Sequence, residues 1–337
     1  SNKKQKSHGT QADLFICRTE NPLQKSDSKK ISLFTNVDEK CVFSIPDVNS
    51  IHSIPELLNS QGLDKQIMEK LRLKSKPANL NRWKKVTRLE KNRKGITKIA
   101  MVGKYTELAD SYKSVNEALV HAGIHNKTEV EIEYFDSQDF NKGVKKFKPQ
   151  GILIPGGFGG RGINGMINVA KYARTKNIPY LGICLGMQMA VIEYARNVLK
   201  LEDVNSTEMK EDCKNPIISL MENQKSIVNK GGTMRLGAWD CELLKNSKTE
   251  KIYNKKVISE RHRHRYELNF KYNEKLNKLG MISSGTNPKT GLVEIVEIPS
   301  HSWFIGVQFH PEYQSTVKNP HPIFVSFVSA CIKKNNQ

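Results

Sequence analysis

From Ile96 onward, short and wholly apolar runs alternate with segments whose apolar residues recur at helical spacing. That is the pattern of a parallel or mixed sheet covered by helices on both faces. The first run, Ile99 to Val102, reads as a strand. A loop over 104–110 and a helix over Ser111 to Ala122 follow, with Tyr112, Val115, Leu119 and Val120 on its apolar face and Gly123 as its stop. Glu129 to Phe135 alternates as a strand. Gly151 to Ile154 and Tyr180 to Ile183 are strands of the buried type, and Leu185 to Arg196 is a helix. Residues 203–230 are polar and aperiodic and read as a surface insertion. Order returns with Val257 to Leu268 as a strand or hairpin arm, Leu292 to Ile298 and Phe304 to Gln308 as strands, and a last helix from Pro322 to Ile332.

Upstream the pattern is weaker. Asp13 to Cys17 is a strand candidate, followed by a Lys/Ser-rich turn, a short apolar segment at Ile31 to Phe34 and two Pro-punctuated stretches around Pro46 and Pro55. This looks like the edge of an α/β domain without its body. Residues 74–95 are dense in Lys and Arg and form a linker with at most one amphipathic helix. Three zones result: a small α/β remnant over 1–73, a basic linker over 74–95, and a three-layer α/β domain over 96–337.

Composition narrows the class. The 337 residues suggest roughly two domains, and 37% hydrophobic against 26% charged residues excludes a disordered or membrane-embedded chain. No apolar run approaches the roughly 18 residues of a membrane span. The N-terminus, Ser1 to Thr10, has no apolar signal region and no Met and reads as a cut end. With 54 Lys+Arg against 34 Asp+Glu, the net charge of +20 favours nucleotides, nucleic acid or an acidic partner without choosing among them. The six cysteines are scattered, so neither a disulfide framework nor a zinc site is indicated, and a reducing cytoplasm is expected.

Three segments carry chemistry. Gly182-Ile183-Cys184-Leu185-Gly186 lies between an apolar strand and a helix, the arrangement of a nucleophile elbow. At the helix N-terminus, dipole and free N–H groups favour a thiolate at Cys184; the alternative is a buried Cys in an ordinary strand-to-helix turn. The strand Phe304 to Phe309 ends in His310-Pro311-Glu312, where His310 faces the thiol as a base and Glu312 orients the ring. Pro155 to Gly160 puts Gly-Gly at a strand C-terminus, where N–H groups reach a developing oxyanion, with Gly157 and Leu185 as donors. A phosphate loop is the rival for that segment, but neither GxxxxGK[ST] nor GxGxxG is present.

In that order the three segments resemble the class I (triad) glutamine amidotransferases. Gly103 to Glu107, Asp110 to Tyr112, Asn205 to Glu208, Gly231 to Gly237 and Glu260 to Glu267 make the resemblance closer to the CTP synthase family. It covers residues 96–332 as a glutaminase domain, and Gln11 to Pro22, Lys30 to Val37 and Pro46 to Leu63 look like the end of that family's amidoligase domain. The resemblance implies glutamine contacts at Gly157, Leu185, Gly186, Met187, Gln188, Glu208 and Arg265, with catalysis by Cys184, His310 and Glu312. It also implies an effector contact at Arg235, on a Gly-rich loop resembling a mobile lid tied to GTP activation. Lys30 and Val48 match positions contacting the pyrimidine nucleotide and ATP. Glutamine hydrolysis would need no cofactor or metal; the full enzyme would use ATP, magnesium and UTP, and would form a homo-oligomer, a tetramer, around the missing amidoligase domain. The rivals are another triad amidotransferase or stand-alone glutaminase, which would lack the upstream segments, and a basic nucleic-acid-binding module. The sparse aromatic residues around Arg261, Arg263 and Arg265 disfavour the latter, and no membrane partner is expected.

Overall fold

The structure, a computed structural model, describes residues 9, 11–104, 109–220 and 234–335. It divides into two compact units, residues 1–92 and 93–337.

In the first unit, β1 (Phe15–Thr19) pairs in parallel with β2 (Val42–Pro46). Parallel neighbours need a crossover, and α1 (Lys25–Thr35) is that element, so the expected Lys/Ser-rich turn and the segment Ile31 to Phe34 form one helix. Asn36, in the left-handed conformation, closes it. Helices α2 (Ile54–Ser60), α3 (Leu63–Lys70) and α4 (Asn81–Lys91) follow. The basic segment expected as a linker thus contains a helix that packs within this unit. Val86 is buried, Thr87 donates to Glu56 at 2.8 Å, and Glu90 accepts from Ser50 at 2.5 Å and lies 3.2 Å from His52.

The second unit is built on one nine-stranded sheet. Its strands are β3 (Ile96–Gly103), β4 (Glu129–Asp136), β5 (Gly151–Ile154), β6 (Tyr180–Ile183), β9 (Arg235–Leu243), β10 (Val257–His264), β12 (Ile282–Thr286), β13 (Val293–Glu297) and β14 (Phe304–Val307), in the order β10-β9-β12-β13-β14-β6-β5-β3-β4. The β14-β6-β5-β3-β4 half is parallel and the rest antiparallel. Strands β5, β6 and β14 are buried throughout, as strands covered on both faces must be.

One core joins the sheet to α5 (Lys113–Asn126) and α11 (Pro322–Asn335), through Leu119, Phe324 and Phe327 among others. The other joins it to α6 (Phe140–Phe147), α7 (Ile163–Thr175) and α8 (Leu185–Asn197), through Phe140, Met166 and Ala190. This is the three-layer α/β architecture expected from the periodicity. Helix α5, however, runs past Gly123 to Asn126. Gly123 is a point of close approach rather than a stop: a Cβ there would lie 2.7 Å from Val130 Cγ2.

The segment read as a polar insertion is ordered as far as it is described. Strands β7 (Val204–Ser206) and β8 (Asn215–Leu220) form a second sheet with β11 (Tyr266–Leu268), in the order β11-β8-β7. Residues 221–230 of that segment lie outside the described residues. So do Tyr105 to Glu107 and Gly231 to Thr233, which belong to the motifs quoted above. Val257 to Leu268 splits into β10 and β11, which belong to different sheets. No helix among the described residues is long and apolar enough to cross a membrane.

Candidate active site

The site lies at the C-terminal ends of the parallel strands, where an α/β sheet leaves a crevice. Strand β6 delivers Cys184, the N-cap residue of α8, at φ 51° and ψ −100°. A non-glycine residue held there stores about 1–3 kcal/mol of backbone strain. The turn is possible because its flanking residues are small: a Cβ on Gly182 would lie 2.6 Å from the Gly186 carbonyl carbon, and one on Gly186 would overlap the Ile154 carbonyl oxygen. Cys184 is anchored by its N–H, which donates to Val307 O at 2.7 Å, and by its carbonyl, which accepts from Gln188 N at 3.2 Å.

Beyond β14, His310 Nδ1–H donates to Glu312 Oε1 at 2.7 Å. A carboxylate only accepts, so this bond fixes the tautomer and leaves Nε2 for chemistry. Nε2 is buried without a hydrogen-bond partner among the described residues. Burial by itself would lower the imidazole's proton affinity, but the neighbouring Cys184 sulfur and the Glu312 carboxylate overcome it and push His310 up to about 11. Cys184, His310 and Glu312 line one cavity of about 300 Å³, together with Tyr112, Arg263 and Tyr313. Gly156 closes on it, since a Cβ there would lie 2.7 Å from His310 Cε1 and 3.6 Å from Cys184 Cβ. A larger cleft of about 580 Å³, between Glu242–Lys245 and Asn273–Asn277, contains none of these side chains.

Gly157 sits against the Leu185 side chain, whose Cδ2 would lie 3.4 Å from a Cβ at that glycine. Two side chains that local periodicity does not reveal hold the loop. Lys104 Nζ donates to Phe158 O at 3.0 Å and to Gly159 O, and Glu208 accepts from Gly159 N at 2.9 Å. Burial lowers the Lys104 ammonium's pKa, which the nearby Glu208 charge partly restores. Glu208, which follows β7, thus reaches the Pro155–Gly160 loop. Burial and then the Glu208 carboxylate raise the Tyr266 phenol, while Arg265 lowers it. Arg265 Nε is buried and has no partner among the described residues.

The remaining expected contacts separate. Gln188 is buried, and its amide donates to Tyr266 O and to Gln308. Gly186 lies in the elbow, but the Met187 side chain is fully buried in the core, so only its backbone is available. Lys30 is exposed on α1 and Val48 follows β2, both in the first unit.

Arg235 corrects the sequence reading. It opens β9 instead of occupying a mobile lid, and its side chain is buried, bonded to Glu294 at 2.5 Å and Glu267 at 3.3 Å. Strand β10 shows the expected alternation, with Arg261 and Arg263 outward and His262 and His264 inward, where His262 Nδ1 and His264 Nε2 are 2.7 Å apart. Burial, and then Arg235, drive these rings down to about 2 and about 3, and hence neutral. Burial and the Glu294 charge raise Glu267 to about 8.

Two family models match the chain: glutamine amidotransferase class-I over residues 107–330, and CTP synthase N-terminus over residues 1–73. Among curated proteins, it is 50% identical to the CTP synthase of Christiangramia forsetii over 326 residues, covering 96% of this chain and 60% of the relative. It is 51% identical to that of Flavobacterium psychrophilum over 333 residues, covering 98% of this chain and 62% of the relative. The chain thus spans about three fifths of the length of these relatives. A solved Trypanosoma brucei CTPS glutaminase domain with bound acivicin is 40% identical, with a TM-score of 0.66, covering 70% of this chain and 94% of that one.

Proposed function

Since the chain belongs to the class I glutamine amidotransferases, in their CTP synthase branch, we propose that it hydrolyses L-glutamine to glutamate and ammonia. The observation that carries this reading is the meeting of a strained Cys184 at an elbow with a His310 whose tautomer Glu312 fixes, in one cavity. Arg265 holds the substrate's α-carboxylate and Glu208 its ammonium, with Gln188 and the backbone of 185–187 along the side chain. Cys184 passes its thiol proton to His310 Nε2, its sulfur attacks the carboxamide carbon, and the oxygen takes up the negative charge beside the Gly157 and Leu185 N–H groups. His310 gives its Nε2 proton to the amide nitrogen, the C–N bond breaks, and ammonia leaves a glutamyl thioester. Water then loses a proton to His310 and attacks the thioester; the C–S bond breaks with its electron pair on sulfur, glutamate leaves, and the Cys184 thiolate and His310 imidazolium remain for the next turnover. Glu312 holds the imidazolium throughout. None of these steps calls on a metal or cofactor.

The same reading places the chain in a longer cytoplasmic enzyme that uses ATP, magnesium and this ammonia to aminate UTP to CTP. Lys30 and Val48 belong to the nucleotide sites of its amidoligase domain, GTP is its activator, and the enzyme is a tetramer.

The test is glutamate release by the chain and by Cys184→Ala, with acivicin labelling of Cys184 read by mass. Turnover lost in the variant supports the reading. Neither turnover nor labelling in the wild type overturns it.

A further inference from the structure

Cys184 also meets a chain of two buried amides, Gln308 and Gln188, and the mechanism above gives Gln308 no role. Gln308 Nε2 is 3.6 Å from Cys184 Sγ, Gln188 Nε2 is 3.2 Å from Gln308 Oε1, and the same Gln188 Nε2 is 3.1 Å from the Tyr266 carbonyl oxygen. Which end of each carboxamide faces which neighbour follows from chemistry. A backbone carbonyl only accepts, so Gln188 must turn its NH₂ to Tyr266. That nitrogen also faces Gln308, which must present its oxygen, since two donors cannot face each other. Gln308 is then left with its NH₂ aimed at the sulfur. The backbone holds it there as well: Gln308 N donates to Glu294 O at 2.8 Å. Both glutamines are buried, with Gln308 fully inaccessible, so water does not compete for these bonds.

We propose that Gln308 is a further catalytic residue of glutamine hydrolysis, donating a hydrogen bond to Cys184 Sγ in its anionic form, with Gln188 as the positioning residue that fixes the direction of the donor. The proposal rests on the glutaminase reading and deepens it. A neutral N–H in a dry site stabilises an anion more than a thiol, and does so without carrying charge. The sulfur carries that charge twice in the cycle, before attack and when it leaves the thioester. The second occasion matters more, because the bond then strengthens as the C–S bond breaks, which is when a donor lowers the barrier. His310, protonated by the attacking water, faces the departing sulfur in the cavity, and Gln308 supplies a second donor to the same anion.

The charged and titratable side chains around Cys184 in the cavity are Tyr112, Arg263, His310, Glu312 and Tyr313. All five are retained in the variants that test the proposal. Gln308→Met keeps the length of the side chain and removes the donor; Gln188→Met keeps the donor and removes its orientation. Two readouts are taken: the pH profile of Cys184 alkylation by iodoacetamide, which needs no turnover, and single-turnover glutamate release with hydroxylamine trapping of the thioester. For Gln308→Met, alkylation should shift to higher pH, and glutamate release should fall about tenfold to a hundredfold, the scale of one hydrogen bond to a charged group. The thioester should accumulate. Gln188→Met should move the alkylation profile in the same direction by less. An unmoved alkylation profile in folded Gln308→Met overturns the proposal even if activity falls, because a packing defect would lower activity without moving the profile. Should Gln308→Met not fold, Gln308→Glu is read the same way: a carboxylate aimed at the sulfur should move the profile further to high pH, and an unmoved profile again overturns the proposal. Wild-type protein unreactive at Cys184 would instead overturn the glutaminase reading.

Discussion

Replacing Gly182 by Ala tests whether the elbow's geometry, and not only its residues, produces the activity. The added Cβ would lie 2.6 Å from Gly186 C, 2.7 Å from Gly186 O and 2.8 Å from Met187 N, all backbone atoms at the start of α8. Carbon–carbon contact is comfortable at about 3.5 Å, so β6 and α8 must separate by roughly 0.9 Å across Cys184. Helix α8 has no slack to give, since Leu185 through Ala195 are all buried. Overpacking of this kind costs about 1–3 kcal/mol, which for a unit of this size lowers Tm by about 2–12 °C. A displacement near 1 Å of a reacting atom costs about a hundredfold in rate. Glutamate release and acivicin labelling should each fall by about that factor, with differential scanning calorimetry reporting the Tm. Gly160→Ala is the stability control: a Cβ there meets nothing within 4 Å, and its Tm should stay within about a degree. A Gly182→Ala protein with wild-type labelling rate and Tm would refute the reasoning.

Three further outcomes follow from the same geometry. Glu312→Gln removes the charge that helps hold His310 near 11 and frees its tautomer, so steady-state glutamate release should drop by about two to four orders of magnitude; a loss under tenfold would contradict the assigned role. Arg265→Gln should raise KM for glutamine about tenfold to a hundredfold with kcat changed only a few-fold, because it removes a grip shared by substrate and transition state. An unchanged KM would put the carboxylate elsewhere. Glu267 keeps its proton up to about pH 8 when folded, against an ordinary value of 4.5, so the folded state binds more protons between these limits and stability must fall as pH rises through them. Urea midpoints of Glu267→Gln should lack this decline, and the difference from wild type should grow from pH 4.5 to 8; a constant difference would show that Glu267 does not titrate in this window.

Local spacing in the chain determined a good deal. The wholly apolar runs at 151–154 and 180–183 are the central parallel strands, because strands covered on both faces have no polar position to spare. The alternation of Arg and His through 261–264 is a strand with one face inward, since side chains change sides at every residue. Gly182-x-Cys184-x-Gly186 and His310-x-Glu312 could be read because elbow geometry and the base–carboxylate contact are made within a few residues. What the tertiary structure alone decided involves partners far apart in sequence. Gln308 meets Cys184 across 124 residues and Gln188 across 120, Lys104 meets Phe158 across 54, and Glu208 meets Gly159 across 49. None of these separations leaves a period in the chain, so Glu208 reads as a solvated carboxylate and Gln308 as one more polar residue at a strand end. Arg235 shows the converse: beside a Gly-rich stretch it reads as a loop cation, yet it is buried because Glu294 and Glu267, brought in by two other strands, accept its hydrogen bonds. A buried ion is tolerated only where such partners converge, and that convergence is a property of the sheet order, which no local window contains.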